Sequence, residues 1–193
     1  VLDVGCGSGW LAHQCTDFGA SVFAIDIGIE GVRGARDRYT DVRYYQVGDL
    51  YSLPFVDEKF DALVLSEVLE HLEDIPKALS EAARVLKPGG RIIVSVPHKE
   101  KIIRHLCIHC NKFTPGNAHL HSFDVQVLKG LCHDAGFSVS STYYTGNKLL
   151  EVCGFPLLSR RWPYRFWQLL DSFANLLLKR PAFLAICATK IDQ

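Results

Sequence analysis

The order of apolar runs and amphipathic stretches most constrains the fold of this 193-residue chain. Runs rich in β-branched and aromatic residues predict strands at 1–5, 21–26, 42–48, 60–67, 90–97, 137–145 and 183–191. Stretches with helical spacing fill most of the gaps. One is predicted to end at Pro88–Gly90, and another to begin at the N-cap Ser122 and stop at Gly136. This alternation predicts an α/β fold, with a mostly parallel sheet and helices on both faces.

Two segments interrupt the alternation. Residues 98–121 form a long connection between a strand and a helix, and we predict a lid at the ligand-binding edge. Residues 153–181 contain an amphipathic helix between Pro163 and Pro181. The length suits one domain over 1–193 that carries both segments as insertions.

Charge and cysteine content narrow the class of protein. The 21 basic and 21 acidic side chains cancel, so nucleic acid is not an expected partner. Seven cysteines, mostly single and in apolar surroundings, favour a reducing compartment, and we expect a cytoplasmic location.

The first ten residues, VLDVGCGSGW, predict a strand, a tight turn and a helix start. In a parallel sheet such a turn lies at the carboxyl edge, where ligands bind. The glycine spacing is G-x-G-x-G and differs from the dinucleotide fingerprint G-x-G-x-x-G, which argues against a nicotinamide-dependent oxidoreductase. Asp3 would repel a diphosphate and suits a cationic ligand.

Two further acidic residues follow the next strands. Asp26 is placed to accept both hydroxyls of a ribose, and Asp49 to accept from an exocyclic amine, with Leu50 packed on a flat base. A ribose, a base and a positive centre without phosphate describe S-adenosylmethionine.

The motifs VLDVGCGSG, AIDIG, GDLYSLPF, FDALVLSEVLEHLED and ARVLKPGGRIIVSVP occur in this order. The chain thereby resembles the class I S-adenosylmethionine-dependent methyltransferases, in the type 11 group that includes ubiquinone and menaquinone biosynthesis enzymes. The resemblance implies a Rossmann-like, seven-stranded sheet whose last strand is antiparallel. It places Asp3, Gly5 and Gly7 at the methionine part of the donor, Asp26 at the ribose, Asp49 and Leu50 at the adenine, and Ser66 and Glu67 beside the methyl group.

Two metal sites are open interpretations. Glu67, Glu70 and His71 match an E-x-x-E-H pattern similar to that of magnesium-dependent small-RNA 2′-O-methyltransferases, with His119 or His121 as a further ligand. The alternative is that these side chains only cap and solvate a loop. Cys107 and Cys110 with His119 would instead form a zinc site.

We therefore predict a methyltransferase for a small, lipid-like or aromatic acceptor. The alternative is a non-catalytic S-adenosylmethionine-binding or zinc-stabilised interaction module. Residues 160–178 predict peripheral membrane contact, and the alternative is a helix whose apolar stripe packs on the sheet. The stripe is Phe166, Leu169, Leu170, Phe173, Leu176 and Leu177, after a basic and aromatic lead-in of Arg160, Arg161, Trp162, Tyr164, Arg165 and Trp167.

Overall fold

A computed structural model describes residues 1–159 and 161–191. Its strands are β1 (Leu2–Val4), β2 (Phe23–Asp26), β3 (Tyr44–Val47), β4 (Phe60–Ser66), β5 (Leu86–Pro97), β6 (Arg104–Leu106), β7 (Phe113–Pro115), β8 (Phe137–Asn147) and β9 (Pro181–Lys190). Seven strands form one sheet in the order β3-β2-β1-β4-β5-β9-β8. Strand β9 runs antiparallel to both of its neighbours, and the other pairs are parallel. The predicted sheet and its antiparallel last strand are confirmed.

The helices are α1 (Trp10–Asp17), α2 (Ile29–Arg38), α3 (Ile75–Val85), α4 (Val125–Asp134), α5 (Lys148–Val152), α6 (Phe155–Ser159) and α7 (Tyr164–Leu178). The predicted end of α3 at Pro88–Gly90 was wrong. The helix stops at Val85, and residues 86–90 already belong to β5, where Leu86 pairs with Phe60 before an irregularity in register. The predicted cap Ser122 was also wrong, because the Asp124 carboxylate accepts the amides of Gln126 and Val127.

Apolar side chains pack on both faces of the sheet. In β2, Ala24 joins a small cluster with Ala12 of α1, whereas Ile25 joins a large cluster with residues of α3 and α4. Successive residues of a strand face opposite sides, so the two clusters lie on the two faces. The predicted helices on both faces are therefore present.

The two interrupting segments have different structures. Residues 98–121 contain the separate two-stranded hairpin of β6 and β7. The second segment, 153–181, carries α6 and α7, and α5 directly precedes it. None of the helices in the described ranges is long and apolar enough to cross a bilayer.

Candidate functional site

The glycine turn between β1 and α1 forms one wall of the site. Gly5, Gly7 and Gly9 all have φ between +48° and +76°, a backbone conformation that side chains disfavour. A Cβ on Gly5 would lie 2.5 Å from Cγ2 of Val68, whereas a Cβ on Gly7 would meet nothing closer than 4.0 Å. Gly5 is therefore required for packing as well as for conformation, and Gly7 adjoins open space.

Asp26 ties this turn to the end of β2. Its Oδ2 accepts the Gly7 amide at 2.8 Å, and its Oδ1 accepts the Gly28 amide at 2.8 Å. Each carboxylate oxygen has a second lone pair available to a ligand. Asp26 thus holds the glycine turn in place and can still accept hydrogen bonds.

A cavity of about 420 Å³ lies at the carboxyl ends of β1 to β4. That volume falls within the range typical of small-ligand sites, roughly 300–1,000 Å³. Its lining comprises Val4, Gly5, Asp26, Ile27, Gly48, Asp49, Leu50, Tyr51, Glu67, Val68, His71, Leu72 and Glu73. The lining includes carboxylates and apolar side chains and, within the described chain, no lysine or arginine. A cationic, hydroxyl-bearing ligand suits such a lining better than a phosphate does.

Carboxylates and imidazoles meet at the Glu67 end of the cavity. This carboxylate–histidine cluster consists of Glu67, Glu70, His71, Glu100 and His119. Glu67 and His71 line the cavity, and the His71 and His119 rings contact edge to face at 4.8 Å. Glu67 has φ +56° and accepts the Ser95 hydroxyl at 2.8 Å. A strained non-glycine residue at a strand end is typical of a functional position.

Glu70 is 1% exposed, and neither of its carboxylate oxygens has a partner among the described residues. Burial raises the pKa of Glu70 to about 7, helped by the nearby charge of Glu67. Burial also raises the pKa of Glu67. Both carboxyls can therefore hold a proton closer to neutral pH than an exposed glutamate can.

Glu70, His71 and His119 each offer one ligand atom, and these atoms lie within 4.8 Å of one another. The Nδ1 of His119 bonds the Glu100 carboxylate, and the Nδ1 of His71 lies 3.3 Å from the Ala118 carbonyl oxygen. Because Nδ1 donates to these acceptors, the Nε2 of each ring is left as a lone-pair ligand. These three residues could hold a divalent cation.

The chain matches the family model described as "Methyltransferase domain" over residues 2–94. It is 34% identical over 145 residues to a probable S-adenosylmethionine-dependent methyltransferase of Mycolicibacterium smegmatis, covering 74% of this chain and 53% of that protein. Residues 2–94 belong to the class I S-adenosylmethionine-dependent methyltransferases. S-adenosylmethionine is the methyl donor that the family implies.

One further curated relative and one solved structure are similar to this chain. A demethylmenaquinone methyltransferase of Renibacterium salmoninarum is 37% identical over 95 residues, which are 49% of this chain and 40% of that protein. The crystal structure of a methyltransferase from Methanosarcina mazei has a TM-score of 0.71 at 20% identity and covers 100% of this chain and 92% of that one. The latter supports the fold. The chain spans about half the length of these two curated relatives.

Five of the predicted donor-site residues line the cavity of the methyltransferase: Gly5, Asp26, Asp49, Leu50 and Glu67. Gly7 adjoins it through Asp26. Asp3 does not line it, and its side chain is 2% exposed with an unpartnered Oδ2 in the described part of the chain. Ser66 does not line it either, and its hydroxyl is hydrogen-bonded at 3.0 Å to that of Ser95, which donates to Glu67.

Sequence reasoning missed several lining residues, among them Ile27, Tyr51 and Val68. Ile27 carried a usable signal in the sequence, because it is a large apolar residue directly after a predicted strand end. In the structure its side chain is 76% exposed. Glu100 was missed as well, since its bond to His119 joins residues 19 positions apart.

The structure does not bring together the three predicted zinc ligands. Cys107 and Cys110 lie at the tip of the β6–β7 hairpin, where the Asn111 amide donates to the Cys107 carbonyl. Hydrogen bonds around Cys110 lower the pKa of the Cys107 thiol. His119 lies instead with Glu70 and His71, and no metal-binding group in residues 1–159 and 161–191 includes either cysteine. The zinc site is therefore not supported.

The predictions for the two interrupting segments, His121 and the cysteines have different outcomes. No described residue of 98–121 lines the cavity, but the Leu120 amide donates to the Glu70 carbonyl at 2.6 Å, so the segment contacts the carboxylate–histidine cluster. Its action as a lid stays a prediction. His121 does not join the cluster, since its Nε2 bonds the Leu72 carbonyl at 2.7 Å. No described residue of 153–181 lines the cavity, so that segment gives it no apolar wall. All seven cysteines are free, and a cytoplasmic location stays a prediction.

Proposed function

We propose that this methyltransferase transfers the methyl group of S-adenosylmethionine to a hydroxyl oxygen of a small, lipid-like or aromatic acceptor. The observation that carries the proposal is the carboxylate–histidine cluster at one end of the donor-sized cavity. Methyl transfer to a hydroxyl requires a group that accepts the hydroxyl proton or lowers the pKa of the hydroxyl. An amine or sulfur acceptor would not require one to the same degree.

The donor would occupy the rest of the cavity. Asp26 would accept the ribose hydroxyls, and Asp49 with Leu50 would hold the adenine. Gly5 and Gly7 would let the methionine part approach the backbone, with Asp3 supplying negative charge from beneath. The bound donor supplies an already activated methyl group, so the protein's main task is to align the acceptor with it.

Glu67 and His71 would meet the acceptor, because they are the two members of the cluster that line the cavity. Glu67 would take the hydroxyl proton, with Ser95 orienting its carboxylate. A divalent cation on Glu70, His71 and His119 would instead lower the pKa of the hydroxyl itself. Both routes use the same cluster and differ in their response to chelators.

The apolar part of the lining supports an acceptor of low polarity. Val4, Val68 and Leu72 contribute apolar side chains to this lining. The name of one relative, a demethylmenaquinone methyltransferase, refers to a quinone acceptor for that protein. A phenol with an alkyl chain is therefore the first acceptor to test.

The decisive experiment offers three acceptors that share one alkyl-aryl body and differ only in bearing a hydroxyl, an amine or a carboxylate. Product formation is followed with and without a chelator. We expect transfer to the phenol, with donor binding kept in every variant. Proton transfer to Glu67 predicts a loss of at least about tenfold in Glu67→Gln, and cation assistance predicts such a loss in Glu70→Gln and His71→Asn. Glu58→Gln, exposed and remote from the cavity, is the matched control.

Transfer to the amine alone, or to charged soluble acceptors alone, would contradict the proposal. Donor binding without turnover on any acceptor would favour the non-catalytic binding module. Sensitivity to the chelator separates cation assistance from proton transfer to Glu67.

A further inference from the structure

Helix α7 exposes an apolar face. Its side chains Phe166, Leu169, Phe173, Leu176 and Leu177 are each 50–70% exposed. They recur at helical spacing and occupy one stripe about 100° wide. The prediction that the whole stripe packs on the sheet is therefore wrong for these five residues.

Polar bonds hold the helix in this orientation. Asp171, 5% exposed, accepts the Gly146 amide at 3.0 Å, and Asn175 donates to the Gly146 carbonyl at 3.0 Å. Asn147 in turn donates to Asn175 at 2.8 Å. The helix thus docks on the end of β8 through its polar side. Turning the stripe inward would break these bonds and leave buried polar groups unpaired.

Cations border the stripe. Arg161, Arg165, Lys179 and Arg180 are exposed, and none of them forms an ion pair with another described residue. The acidic side chain within the same stretch, Asp171, is buried against β8. The predicted lead-in residue Arg160 lies outside the described residues. The chain as a whole has no net charge, so this positive charge is local.

The lead-in adds aromatic side chains. Tyr164 is exposed, and Trp162 stacks at an angle on Phe166 with ring centroids 5.3 Å apart. Aromatic and basic residues beside an apolar helical stripe are typical of helices that lie in the plane of a bilayer surface. The same combination is unfavourable for a symmetric pairing of two copies, since it would bring like charges together.

The segment also lies at the edge of the sheet that holds the cavity. Asn147 pairs with Pro181, and the His98 amide at the end of β5 donates to the Ala182 carbonyl at 2.8 Å. Lys148 donates to the His98 carbonyl from the first turn of α5. Both ends of the segment therefore meet the edge at which β1, β4 and β5 end.

We propose that α7 docks flat on an anionic membrane surface, with its apolar stripe in the acyl boundary and the four cations at the headgroups. This contact would hold the open edge of the sheet near the bilayer. An acceptor of the proposed lipid-like class could then be collected from the membrane.

The test is co-sedimentation with vesicles of phosphatidylcholine alone and with about one third phosphatidylglycerol. We expect the wild type to bind the anionic vesicles. The double variant Leu169→Asp, Phe173→Asp should bind them at least about tenfold more weakly. Phe18, at the end of α1, is also a large apolar residue and is 90% exposed, so it serves as the control. The Phe18→Asp variant should bind the vesicles as the wild type does. Arg165→Gln, Lys179→Gln should bind severalfold more weakly and lose most of the salt dependence.

Absence of vesicle binding would overturn the proposal, as would equal binding to neutral and anionic vesicles. Self-association that the Leu169→Asp, Phe173→Asp variant abolishes would assign the stripe to a second copy instead. Donor titration and turnover of a detergent-dispersed phenol should be unchanged in every variant. They therefore report on the proposed function separately.

Discussion

The Gly7 amide donates a hydrogen bond to the Asp26 carboxylate across 19 residues of sequence, at 2.8 Å. The bond joins the turn after β1 to the end of β2. One side chain thereby fixes the shape of the turn and lines the cavity beside it.

Replacing Asp26 should weaken donor binding more than it weakens the fold. Loss of a charged hydrogen-bond acceptor costs about 1.5–3 kcal/mol, so Asp26→Ala should raise the Kd for S-adenosylmethionine at least about tenfold. Titration calorimetry measures this, with exposed Asp37→Ala on α2 as the control. An unchanged Kd in folded protein would remove Asp26 from the donor site.

Gly5 should tolerate no side chain. In Gly5→Ala the new Cβ would lie 2.5 Å from Val68 Cγ2, and the alanine would have to adopt φ +76°. The clash and the backbone strain together should destabilise the fold by about 3 kcal/mol. Gly19→Ala has φ +84° with nothing within 4 Å, so backbone strain alone should cost it about 1–2 kcal/mol. Urea denaturation compares the two. Equal losses would mean that the packing against Val68 is unimportant.

Asp3 should make stability depend on pH. Burial raises the pKa of Asp3 to about 6 from 3.8, so the folded state holds its proton longer than the unfolded state does. Stability should therefore fall as pH rises from about 4 to about 6 and stay lower above that range. Asp3→Asn should remove this loss and gain up to about 3 kcal/mol at pH 8, with no gain at pH 4. A gain that is the same at both pH values would show that ionisation is not its cause.

Glu100 should tune the affinity of the cluster for a cation. Its carboxylate bonds the Nδ1 of His119 and so orients the other ring nitrogen. Glu100→Gln should weaken Mn²⁺ binding about 10–100-fold, the usual effect of removing such a supporting group. Calorimetry with Mn²⁺ measures it, and exposed His133→Ala on α4 is the control. If wild-type protein binds no Mn²⁺, Glu67 is left as the group that takes the proton.

Local patterns were sufficient for the sheet and for part of the site. The strands that end at Asp26 and Ser66 follow from β-branched runs, and the parallel order then brings their ends to one edge. The pairing of His119, and not His121, with the cluster depends on how the β6–β7 hairpin returns to Glu70. No local spacing encodes that path.

The sequence of α7 left two orientations of its apolar stripe open, one exposed and one packed on the sheet. An apolar stripe normally predicts a buried face. Here Asp171 and Asn175, on another side of the helix, determine which side is buried, because they bond the amide and carbonyl of Gly146 in β8. That polar contact joins residues about 25 positions apart. The cap of α4 is a smaller case, since the capping residue is Asp124, two positions after the predicted Ser122.

The pairing of Asn147 with Pro181 makes everything between α5 and α7 an excursion from a single hairpin. Its two ends leave the sheet at neighbouring positions, so the excursion can be lengthened, shortened or exchanged while the register of β8 and β9 is kept. The sheet and the cavity can thus stay unchanged when this excursion is altered, since no described residue of 148–180 lines the cavity. A variant that replaces 148–180 with a short turn would keep every described residue that lines the cavity and lose the exposed stripe of α7.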